Sequence, residues 1–223
     1  MQGLPAVLLV AGLAAAVLGL PLGLYALLTR DQRRTTREIR LAAAGRGWRY
    51  RQRRWQGNPT AFRIDGQTQG GLPWVLTSGS SGGYDRGWSN VLSLRFPTLG
   101  GEADFSVEPR DLPQPAILKD ATGFEREARE FPSDLPDFDA AYKVLASPGR
   151  ISRPPVDDGL AARMVHWPPE AIAPHSILAW RGPFSMHLQF RLPAPPNWTT
   201  VANAVEIGEA LAGRVPAANP IRK

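Results

Sequence analysis

The chain has 223 residues and no cysteine, which excludes disulfide staples, thiol catalysis and thiolate metal sites. Its formal net charge of +6 suggests nucleic acid only until the charge is located. Residues 30–54 carry ten arginines against two acids, net +8, whereas residues 55–223 carry 16 basic and 18 acidic side chains, net −2, so the basicity belongs to one short segment and not to a nucleic-acid-binding domain.

Residues 4–28 hold no charged side chain. As a helix they would reach roughly 37 Å, beyond the about 30 Å of a hydrocarbon core. The expected domain at 1–29 is therefore a single transmembrane anchor, kinked at Pro21. A cleavable signal peptide at Ala14-Ala15-Ala16 competes with it, but the first three residues carry no Lys or Arg. Arg30, Arg33, Arg34, Arg37 and Arg40 follow the span. The positive-inside rule then places the N-terminus outside and the bulk of the chain in the cytoplasm, at a bacterial inner membrane. The same five arginines are the candidate contacts for anionic lipid headgroups.

Residues 30–46 read as a basic juxtamembrane helix, ended by Gly45 and Gly47. The domain proper is expected over 47–214, with a frayed tail at 215–223. Around Tyr50, aromatic and arginine residues alternate with period two, the mark of a strand with one aromatic and one cationic face. Short strands are expected next over 61–65, turned by Gly66, then over 73–78, 88–96 and 103–107. Residues 111–136, bracketed by four prolines, read as a surface excursion with a two-turn helix at 123–131.

In the second half, Phe138, Ala140, Tyr142 and Val144 alternate as a strand. A helix over 156–166 begins at Asp157 and Asp158 and buries Leu160, Met164 and Trp167. Strands at 176–180 and 183–192 flank a turn at Arg181-Gly182, and Asn197 caps a last helix that ends at Gly213. The spacings suit antiparallel neighbours and leave no room for βαβ crossovers. The expected fold class is α+β: an N-terminal transmembrane helix, then a mostly antiparallel bent sheet with a C-terminal helix.

Four stretches carry a resemblance to a known family: Gly47-Trp48-Arg49-Tyr50, Phe62-Arg63-Ile64-Asp65-Gly66, the run from Phe138 to Val144, and Val205-Glu206-Ile207-Gly208-Glu209-Ala210-Leu211. In these and in its layout the chain resembles a family of bacterial single-pass membrane-anchored proteins of unknown function. That family has no settled activity, so the resemblance implies no catalytic residue.

One stretch matches a catalytic pattern. Gly79-Ser80-Ser81-Gly82-Gly83 reads as GxSxG, which in α/β-hydrolases is a nucleophile elbow and would make Ser81 the nucleophile. The elbow needs a helix directly after it, whereas a further strand is expected here. His166, His175 and His187 are spaced like no zinc site. Neither a metal nor a cofactor is expected. The residues from Ser78 to Gly87 read instead as a ten-residue hairpin loop in which Ser80, Ser81, Tyr84, Asp85 and Arg86 contact a partner, with Trp74 and Trp88 flanking it. The functional expectation is a non-enzymatic binding or scaffold module at the cytoplasmic face, engaging the membrane and an unidentified protein or peptide; the alternative is a serine hydrolase built on Ser81.

Overall fold

The computed structural model describes residues 30–53, 61–83, 87–97, 105–110, 128–146, 149, 151–167, 177–181 and 185–214. Among the described residues nine strands form one sheet: β1 (Arg49–Gln52), β2 (Phe62–Gln67), β3 (Pro73–Gly83), β4 (Gly87–Phe96), β5 (Phe105–Pro109), β6 (Arg129–Glu130), β7 (Tyr142–Ala146), β8 (Ile177–Arg181) and β9 (Met186–Leu192). The described residues also form helices α1 (30–45), α2 (Pro136–Ala141), α3 (Asp158–Val165) and α4 (Trp198–Gly213).

Every strand pairing is antiparallel, and the strand order is β1-β2-β3-β4-β9-β8-β5-β7-β6. The α+β class with a mostly antiparallel sheet and a closing helix is thus present. The transmembrane part of the expected fold class is corrected: among the described residues no helix is long and apolar enough to cross a membrane. The stretch 4–28 on which that expectation rested lies outside the described residues. The sheet is also not a simple meander. After β4 the chain leaves its neighbour, and β5 inserts between β8 and β7, strands that come much later in sequence.

Register and the period-two pleat give the sheet two unlike faces. One row across it reads Tyr50, Ile64, Leu76, Leu94, Leu188, Ala179, Val107 and Val144. All but Tyr50 are fully buried. The adjacent row reads Arg49, Asp65, Val75, Arg95, His187, Trp180, Ser106, Leu145 and Glu130. The helices pack on the apolar, inner face. Helix α1 docks there through Ile39 and Ala43, four residues apart and so on one helical face. Trp167, just after α3, sets its ring 5.2 Å from Phe190. Phe138 of α2 stacks on Tyr142, whose hydroxyl donates to the Met164 carbonyl at 3.2 Å. Helix α4 packs tightly on β4: a Cβ on Gly208 would stand 2.2 Å from Leu94 Cδ2, so a larger residue there would force Leu94 to shift.

Four local expectations are corrected. The alternation from Phe138 to Val144 is a strand only from Tyr142. Pro136 opens a helix instead, with Asp137 and Asp139 in its first turn, and Asp139 accepts from the Ser133 hydroxyl at 2.7 Å. Within the expected helix 123–131, residues 129–130 pair with β7 as a strand. Gly66 does not turn β2 but continues it to Gln67, and Arg181 is not a turn residue: it ends β8, 1% exposed on the inner face.

Candidate functional site

The site grows from the outward stripe of α4. The Asn197 side chain accepts from the Thr200 amide at 2.8 Å and so caps the helix. Val201, Ala204, Val205, Gly208, Leu211 and Ala212 turn to the sheet, which leaves Asn203, Glu206 and Glu209, three residues apart each time, half-exposed on the other side. Two elements flank this stripe: the end of α1, with Arg46 and Trp48, and the end of α3, with Arg163, His166 and Trp167.

On the α1 side three indoles meet. Trp48 packs edge-on against Trp74 at 4.8 Å and lies 5.7 Å from Trp198. The Arg46 guanidinium sits 5.2 Å from the Trp48 ring and 5.3 Å from the Trp198 ring, close enough for cation–π attraction. Trp74 donates its indole N–H to Glu209 Oε1 at 3.1 Å. The Trp74 ring lies over Gly66, where a Cβ would stand 2.3 Å from it. Burial raises the Glu209 pKa above the usual carboxylate value; the Trp74 hydrogen bond and the Arg46 charge oppose the shift, and Glu206 adds to it.

On the α3 side lies an open groove of about 330 Å³, lined by Arg163, His166, Trp167, Asn203, Glu206 and Ile207. Glu206 joins the two halves of the site. It meets Arg163 at 3.5 Å across the groove and Arg46 at 3.9 Å on the tryptophan side. Trp167 is 2% exposed, and its buried indole N–H has no acceptor among the described residues. A second groove, about 220 Å³, runs between α2 and α3, with Phe138, Ala161 and Val165 in its lining, and His166 borders both.

The sequence-predicted residues fall elsewhere. Ser80 and Ser81 are not in a loop, because β3 and β4 stay paired as far as Gly83 and Gly87. The expected ten-residue loop is in fact an extended hairpin, and Tyr84, Asp85 and Arg86 lie outside the described residues. Glycine and serine suggested a loop because they have low strand propensity, yet the β4 partner supplies the ladder they need. Ser81 thus lies in a strand and is followed, past residues 84–86, by another strand, which is not the strand–turn–helix of a nucleophile elbow. His187 is remote from it: Ser81 pairs with Ser89 and His187 with Arg95, roughly 20 Å apart along β4 at about 3.3 Å per residue. His166 sits at the end of α3 on the helix side, and His175 lies outside the described residues. Arg30, Arg33, Arg34, Arg37 and Arg40 are all exposed on α1.

Sequence reasoning missed the α4 stripe and its partners. The available signal was the spacing of Asn203, Glu206 and Glu209 on one side of an otherwise apolar helix. What no spacing announces is that residues from 46, 163 and 206 meet.

No family model matches the chain, and no curated protein matches it. Among solved structures it is similar to the mycobacterial trehalose monomycolate transport factor A, TtfA, with a TM-score of 0.50 at 13% identity, over 85% of this chain and 98% of that one. At that identity the likeness is one of fold.

Proposed function

We propose that this chain is a non-enzymatic accessory factor in the transport of an envelope lipid, and that it binds through the helix side of its sheet. The observation that carries this reading is the shared fold with a trehalose monomycolate transport factor over nearly the whole of that protein. The make-up of the site supports it: tryptophans, a shared glutamate and two arginines form a recognition surface, while Ser81 has neither an elbow nor His187 within reach. Deleting the gene in its native host tests the proposal. Pulse-labelling of envelope lipids should then show a lipid that is made but retained in the inner membrane fraction. Unchanged lipid distribution in the deletion strain would refute it.

A further inference from the structure

We propose that the groove between α3 and α4 binds a neutral, hydroxyl-rich group of the kind a sugar ring presents. The assignment rests on the reading of the helix side as the binding side, but its chemistry is argued from the groove alone.

Charge decides against an ion. Arg163 and Glu206 neutralise each other at 3.5 Å, and the second cation on Glu206, Arg46, belongs to the tryptophan side. An anion on Arg163 would stand against the Glu206 carboxylate, and a cation on Glu206 would take Arg163's partner from it, whereas a hydroxyl can donate to Glu206 and accept from Arg163 with both in place. The remaining groups also mix donors and acceptors. Asn203 offers both, and His166 adds its two ring nitrogens.

The Trp167 N–H is the second observation. Among the described residues it has no acceptor; leaving a buried donor unpaired is costly, and a water or a ligand oxygen is one explanation for such a group in a native structure. The indole is held in place by its packing on Phe190, so the donor cannot swing out to solvent without disturbing the core. Together with Ile207 the Trp167 ring gives the groove an apolar wall, which suits the C–H face of a sugar. The volume of about 330 Å³ falls at the small end of ligand pockets, which run about 300–1,000 Å³. This is enough for one or two rings and too little for an acyl chain as well.

The test uses the full chain, ¹⁵N-labelled in its tryptophans, with the Trp167 indole signal assigned by its loss in Trp167→Phe. Trehalose and methyl glucoside are titrated in one arm, sodium phosphate and sodium acetate in the other, at constant ionic strength. The expected result is a saturable downfield shift of the Trp167 N–H with the sugars and none with the anions. Asn203→Ala should weaken that binding at least tenfold while leaving the melting temperature unchanged. Because Asn203 is half-exposed, this variant keeps the test valid even if Trp167→Phe fails to fold. A response to phosphate or acetate stronger than to the sugars would overturn the proposal, as would no saturable shift with either sugar or full binding by Asn203→Ala. None of these outcomes bears on whether the gene is needed for lipid transport, which the deletion experiment reads separately.

Discussion

The two faces of the sheet are built from the same strands, one residue out of step, and they do different work. The inner row from Ile64 to Val144 has only apolar side chains, buried under helices. The outer row carries arginines, an aspartate, a histidine and a serine, of which His187 and Trp180 stack in parallel at 5.1 Å. The recognition groups do not lie on this polar face. They lie beyond the helices that cover the apolar one, because a close-packed sheet face fixes the position of α4 and, through it, of Asn203, Glu206 and Glu209. The core and the proposed recognition groups thus share one side of the molecule, and the outer face carries local polar contacts such as the ion pair of Arg63 with Asp65.

Breaking the inner face should have the largest effect. Leu188 and Gln189 are neighbours in β9 on opposite faces. Leu188→Ala should cost about 2–5 kcal/mol in denaturant unfolding, from lost burial and the cavity left behind. Gln189→Ala should stay within about 0.5 kcal/mol. Equal costs would mean that the two faces are not distinct in solution. The next effect in size belongs to Gly208. Alanine there gains about 1 kcal/mol in helix propensity. It also forces a Cβ into Leu94, itself 1% exposed, and such overpacking costs typically about 1–3 kcal/mol. Gly208→Ala should therefore destabilise on balance, and it should weaken sugar binding as well, since a displaced α4 carries Asn203 with it.

The outer face gives the smallest effect, and one that depends on pH. Burial, and after it the Arg95 charge, hold the His187 pKa below the ordinary histidine value. The unfolded chain then takes up a proton at a pH where the folded chain does not. Stability is retained above the ordinary histidine pKa of about 6.5 and lost as pH falls below it. His187→Gln should remove this part of the acid sensitivity, and Arg95→Gln should reduce it by letting the His187 pKa rise. Melting temperatures measured from pH 7.5 to pH 5.5 check both. Acid sensitivity unchanged in His187→Gln would place its source elsewhere.

Much of the fold was legible because alternation and capping are local. The period-two runs in β4 and β9 assign Leu92, Leu94 and Phe96, and Met186, Leu188 and Phe190, to the inner face, where the structure has them. Asp157 and Asn197 mark the starts of α3 and α4, and both accept from a backbone amide three residues on. Pairing partners were not legible. Nothing in residues 105–109 says that they will lie between β7 and β8, because alternation fixes a strand's face and not its neighbour. The stretch 138–144 misled because Phe138 and Tyr142 are spaced by four, a separation that a strand's alternation and a helical turn both allow, and Pro136 with its acidic first turn decided for the helix. The site was hardest to see, since Arg46, Arg163 and Glu206 converge only once α1, α3 and α4 lie side by side.

Complementation of the deletion strain tests the central claim most directly. Two variants of the helix side, Asn203→Ala and Glu206→Gln, and two of the outer face, Arg95→Gln and Arg191→Gln, would be returned at matched expression and scored for the amount of labelled lipid that leaves the inner membrane. Both outer-face variants should restore transport to the wild-type level, and both helix-side variants should reduce it. Loss of transport in the outer-face variants, with full transport in the helix-side pair, would contradict it.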